Sequence, residues 1–134
     1  MRIYLKLTPN KEPVNFNYQE NIVGTFYKWM GKDHRHDEIS LYSLSWLKGG
    51  RMQGNKLEFK NGAIWFISCW DTDLLKKIIS NIQRKPEIAF GFKVNEVLIK
   101  ETPDFSNQEL FFFNSPVLIK RYKDNRSKFY LYND

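Results

Sequence analysis

The sequence predicts a single α+β domain, and three observations carry that expectation. Its 134 residues fit one domain without a disulfide or metal staple. Apolar residues recur at period two in several segments and at helical spacing in two others. These segments follow one another as strand, helix, two strands, helix and strand.

Residues 2–7 open the series as a strand. Ile3, Leu5 and Leu7 point one way, and Arg2, Tyr4 and Lys6 the other. Residues 18–30 read as a helix with Ile22, Phe26, Trp29 and Met30 on one face, Asn17 as its N-cap supported by Glu20, and Gly31 as its stop. After a polar loop, residues 39–47 read as a strand whose bulky face is Tyr42, Leu44 and Trp46. Residues 48–51 form a basic loop. Residues 56–60 alternate strictly and are expected to form a hairpin with residues 63–69 across Asn61-Gly62, a preferred two-residue turn. The strand 63–69 is apolar on both faces, so it belongs in the middle of a sheet. Asp71 caps a second helix over 72–85, lined by Leu75, Ile78, Ile79 and Ile82 and stopped by Pro86. Residues 88–101 complete the series as a strand, with Gly91 at a bulge.

This β-α-β-β-α-β order is the ferredoxin-like arrangement, shared with the RNA-recognition motif: a four-stranded antiparallel sheet with two helices on one face. We assign it to residues 1–105. Residues 106–134 carry three extra strands, over 110–113, 117–122 and 128–132.

The net charge is +6 and the pI about 9.4, which favours a polyanionic partner. Eleven Phe, seven Tyr and four Trp exceed what one small core needs, leaving aromatics free for base stacking. Cys69 is the only cysteine, so no intrachain disulfide is expected and a reducing cytoplasm suits the chain. Residues 1–7 lack the apolar run of a signal peptide, and no stretch is long enough for a membrane span.

Two histidines, His34 and His36, stand in the loop after the first helix. Imidazoles titrate near neutrality, so they can act as base and acid. On RNA, a base would release a 2′-hydroxyl to attack the adjacent phosphorus, and an acid would protonate the leaving 5′-oxygen without a metal. On spacing alone, two solvated loop histidines are the plainer reading. A His-x-His metal site would need Asp33, Asp37 or Glu38, and none is expected. Tyr27 could orient a phosphate or simply pack beside the apolar stripe. The candidate phosphate contacts are Lys28, Arg35, Lys48, Arg51, Lys120 and Arg121, the last two within a basic cluster that continues through Lys128. Residues 62–67 match the RNA-recognition signature poorly, which argues against ordinary readout from the sheet face.

The chain resembles the CRISPR-associated endoribonucleases that cut repeat RNA into guide RNAs, in the superfamily of repeat-associated mysterious proteins. The resemblance rests on the strand Met1-Arg2-Ile3-Tyr4-Leu5-Lys6-Leu7 and on Asn17-Tyr18 leading into Ile22-Val23-Gly24-Thr25-Phe26-Tyr27-Lys28-Trp29-Met30. It continues through His36 before Leu41-Tyr42-Ser43-Leu44-Ser45, Ile64-Trp65-Phe66-Ile67-Ser68, and Phe113-Asn114-Ser115-Pro116-Val117. It implies tandem ferredoxin-like domains, repeat RNA as partner, no cofactor, and metal-independent cleavage leaving a 2′,3′-cyclic phosphate. It matches His36, with His34 as neighbour, to the catalytic histidine, and Tyr27 to the assisting residue on the first helix. The glycine-rich loop of the family's second domain has no counterpart here, since Gly91 is the last glycine. Residues 106–134 therefore read as the start of a truncated second ferredoxin-like domain. The alternative is a non-catalytic RNA-binding module, or one that pairs with a second copy through its C-terminal strands.

Overall fold

The computed structural model describes residues 1–31, 42–107, 110, 119–123 and 126–130. The chain falls into two compact units, Met1–Thr102 and Pro103–Asp134. The first contains strands β1 (Arg2–Leu7), β2 (Tyr42–Leu44), β3 (Arg51–Gln53), β4 (Lys56–Glu58), β5 (Ala63–Cys69) and β6 (Val94–Lys100), with helices α1 (Gln19–Met30) and α2 (Thr72–Arg84). The second contains β7 (Ile119–Lys123) and β8 (Arg126–Tyr130), paired as an antiparallel ribbon.

The main sheet has the order β2-β5-β1-β6, with every neighbour antiparallel. This is the ferredoxin-like sheet expected from the element order, and β5 is central as its two apolar faces required. Period two explains the division of β1: Ile3, Leu5 and Leu7 are buried, while Arg2 and Lys6 are exposed. Opposite them, Trp65 and Ile67 of β5 are fully buried. The helices cover this face with Ile22, Phe26, Trp29 and Met30 from α1 and Leu74, Leu75, Ile78 and Ile82 from α2. Two hydrogen bonds lock the helix ends together: Asn81 Nδ2 donates to the Trp29 carbonyl at 2.7 Å, and Trp29 Nε1 to the Lys85 carbonyl at 2.8 Å.

The helix caps come out differently. Asp71 accepts from the Asp73 and Leu74 amides at 2.8 and 3.1 Å, as expected. Asn17 does not cap α1. Tyr18 holds that position in a helical conformation without a side-chain cap bond, and its hydroxyl accepts from the Leu47 amide at 3.1 Å. Burial of Tyr18 thus takes the place of a polar cap. Gly31 does close α1, its amide donating to the Tyr27 carbonyl.

Three strand expectations need correction. Residues 56–60 do not pair with β5. Instead β4 pairs with β3, which begins at Arg51, the last residue of the segment read as a basic loop. Asn61-Gly62 still turns the chain, but it leads into β5 as a connection, with the Gly62 amide donating to the Phe59 carbonyl. Second, β2 breaks after Leu44. Leu44 is opposite Ile67, whereas Lys48 is bridged to Ile64, so one extra residue is accommodated between them. The extra residue sends Leu47 into the core and leaves Trp46 69% exposed, so Trp46 does not share a face with Tyr42 and Leu44. Residues 39–41 lie outside the described residues. Third, the start of the expected strand 88–101 is a 3-10 turn, Ala89–Gly91, with Phe90 and Gly91 at positive φ. The strand proper begins at Val94. In the second unit, the pair β7 and β8 answers to two of the three expected strands. Residues 111–118 lie outside the described residues.

Candidate nucleic-acid interface

The helix side of the sheet is closed, and the opposite side carries chemistry. Antiparallel register fixes which side chains meet there: Tyr4 of β1 lies opposite Phe66 of β5, and Arg2 opposite Ser68. On the flank, Leu98 lies opposite Tyr4, and Lys100 opposite Arg2. The Tyr4 and Phe66 rings are 5.5 Å apart between centroids. Arg2 stacks on Phe66 at 4.6 Å and donates through Nε to Ser68 Oγ at 2.7 Å. Lys48 Nζ is 5.4 Å from the Phe66 centroid, and Lys100 Nζ 5.3 Å from that of Tyr4. The hydrogen bond from Arg2, helped by the charges of Arg2, Lys100 and Lys48, draws the Tyr4 phenol below its ordinary pKa. Lys6, one step further along, is paired with Glu96 at 2.6 Å. Among the described residues Arg2, Lys48 and Lys100 have no carboxylate partner.

A second cluster sits where α1 ends and β2 begins. Tyr27, 43% exposed, has its hydroxyl 3.2 Å from that of Tyr42. Tyr42 in turn packs on Phe26, with centroids 4.7 Å apart. The shared hydrogen bond, with smaller contributions from burial and the neighbouring phenol, raises the Tyr27 pKa. Tyr27 therefore keeps its proton at neutral pH. It is suited to donate a hydrogen bond and unsuited to act as a base.

The other expected residues scatter. Lys28 is exposed on a cleft between α1 and α2 that Arg84 and Lys85 also line. Arg51 is exposed on β3. Lys120 and Arg121 lie on β7, in the other unit, where register pairs Arg121 with Lys128. His34, Arg35 and His36 lie outside the described residues. The fold thus joins Lys48 to a group that the sequence reading did not select: Arg2, Tyr4, Phe66 and Lys100. The available signal was an aromatic at the middle outward position of β1 and of β5, which becomes a pair only once the strands are neighbours.

No protein-family model matches the chain, and no curated protein matches it. Solved structures do. One, from the characterisation of a Cas6-related gene of Pyrococcus furiosus, superposes with a TM-score of 0.76 at 19% identity, covering 97% of this chain and 60% of that chain. A CRISPR-associated protein Cas6 gives 0.69 at 18%, with 97% and 61% covered. A RAMP protein that binds different RNA substrates gives 0.68 at 17%, with 98% and 62% covered. The fold is Cas6-like, and the chain spans about 60% of the length of these structures.

Proposed function

We propose that this chain is the RNA-binding portion of an endoribonuclease that processes CRISPR repeat transcripts. The observation that carries the reading is the Cas6-like fold along 97% of the chain. The net charge of +6 supports a polyanionic partner. In this reading His36, or its neighbour His34, takes the proton from a 2′-hydroxyl. The freed oxygen attacks the adjacent phosphorus, the bond to the 5′-oxygen breaks, and that oxygen is protonated as it leaves. The products are a 2′,3′-cyclic phosphate and a 5′-hydroxyl, with no metal needed. Tyr27, whose phenol stays protonated at neutral pH, donates to a non-bridging phosphate oxygen. Lys28, one residue on, supplies positive charge. Support for the placement comes from Tyr27 and Tyr42, which meet at the two borders of the segment that carries both histidines. We place the reaction in the cytoplasm.

The test is cleavage of repeat RNA in EDTA, by wild type and by His36→Ala, His34→Ala and Tyr27→Phe. Loss of cutting in EDTA sinks the mechanism. Undiminished cutting by His36→Ala sinks that residue's assignment.

Pairing with a second copy is a further reading, favoured by the β7–β8 ribbon, in which each strand has one unpaired edge among the described residues. Light scattering that finds only monomer across a concentration series rejects it.

A further inference from the structure

The outer sheet face displays residues to which the proposed cleavage chemistry assigns no role. We propose that Tyr4 and Phe66 are a stacking platform for two bases of single-stranded RNA, with Lys48, Lys100 and Arg2 as its phosphate contacts. The inference takes its ligand class from the RNA reading above, but it stands on different residues.

Four observations carry it. The two rings lie on adjacent central strands, at opposed register positions, with centroids 5.5 Å apart. Aromatics at the middle of two neighbouring central strands are how a four-stranded sheet of this topology stacks unpaired bases. Cations already occupy the ring faces, at 4.6, 5.4 and 5.3 Å. These are long side chains on solvent-exposed residues, so a base can replace each one while its charge swings to a flanking phosphate. Charge decides the occupant: among the described residues the only acid paired into this face, Glu96, is satisfied by Lys6. The remaining cations favour an anion over an apolar protein surface. Finally, the Ser68 hydroxyl beside Arg2 offers a partner for a ribose hydroxyl or a base edge.

The platform departs from the sequence expectation against readout from the sheet face, which rested on residues 62–67 alone. Here the aromatics come one from each strand, and the cations from β1, β6 and the segment after β2, so no single stretch displays them.

The experiment is fluorescence anisotropy of the 134-residue chain with a labelled single-stranded oligouridylate, and with an RNA duplex as comparison, over a salt series. Tyr4→Leu and Phe66→Leu keep an apolar side chain and remove the ring. Each is expected to weaken single-strand binding about fivefold or more, with little change on the duplex. Lys48→Gln and Lys100→Gln are expected to weaken binding and lower the salt slope by about one each. Circular dichroism checks folding. If folded Leu variants bind the oligouridylate as wild type does, the platform is overturned. If they fail to fold, the Gln variants decide, and an unchanged salt slope overturns it. Repeat cleavage is scored on the same samples. Cleavage lost with single-strand binding intact removes the function proposed above and leaves the platform standing. Cleavage retained while the ring variants bind normally does the reverse.

Discussion

Replacing Gly62 with alanine should be among the most damaging single-methyl additions in the fold. Gly62 has φ 81, and a Cβ there would stand 2.1 Å from the Leu7 carbonyl oxygen. Two effects add. A left-handed conformation costs alanine about 1–2 kcal/mol. That is partly offset by the lower entropy of the unfolded chain, about 0.4–1 kcal/mol. The second effect is the clash, and it cannot relax cheaply. The obstructing atom is backbone, and Leu7 is 5% exposed and paired with both Ala63 and Val94. Moving the end of β1 by more than an ångström resembles severe overpacking, at the upper end of about 1–3 kcal/mol. The total expected loss is about 3–4 kcal/mol, a large share of the about 5–15 kcal/mol that holds a domain together. Gly54 provides the control: its φ is 60, yet nothing lies within 4 Å of its added Cβ. Gly54→Ala should show the conformational cost alone, about 1 kcal/mol or less. Urea unfolding followed by tryptophan fluorescence measures both, at matched m values. If Gly62→Ala costs no more than Gly54→Ala, the close approach of the turn to β1 is not there and the reasoning fails.

Asp71→Ala should lose about 1 kcal/mol through its two capping bonds, with Asp71→Asn much closer to wild type in the same urea experiment. Tyr18→Phe leaves the buried Leu47 amide without its acceptor and should cost about 1–3 kcal/mol; a loss within error of zero counts against that bond. In an ultraviolet difference titration, Tyr4→Phe should remove a phenol that ionises below the ordinary value of 10.0, and Tyr27→Phe one that ionises above it. The signs differ accordingly. Tyr4 adds stability that is present in alkali and fades as pH falls through its lowered pKa. Tyr27 adds stability that is present below 10.0 and is lost as pH rises through its raised pKa. On repeat RNA, Tyr27→Phe should slow cutting about tenfold or more if its hydroxyl donates to charged phosphate, measured in a single-turnover assay.

Much of the fold was legible because local chemistry and global packing agree. Strand β1, both helices and the central place of β5 follow from apolar spacing, and α2 from its Asp71 cap. The misreadings arose where tertiary contacts outweigh local signals. Asn61-Gly62 is a strong hairpin signal, yet the strand before it found β3 instead. Asn17 is a good cap, yet burial of Tyr18 decided the helix start. The face shared by Tyr42, Leu44 and Trp46 was lost to one extra residue, which pattern reading does not count. The site was less legible than the fold. Tyr27 and Lys48 fall in informative places, but Tyr4 and Phe66 are sixty-odd residues apart and ordinary in their own strands. Only register makes them a pair.

The position of β1 also sets a timetable for the growing chain. Strand β1 ends between two partners made much later than itself: β5 ends at Cys69 and β6 at Lys100. At about 5–20 residues per second of synthesis, β1 waits on the order of 5–20 s before its second edge can be covered. During that interval an apolar strand with a bare edge is an invitation to pair with other chains. Arg2 and Lys6, alternating with the apolar residues, give the waiting strand a charge that discourages such pairing. One of the cations offered to a ligand by the finished sheet thus guards that sheet's middle strand before it has neighbours.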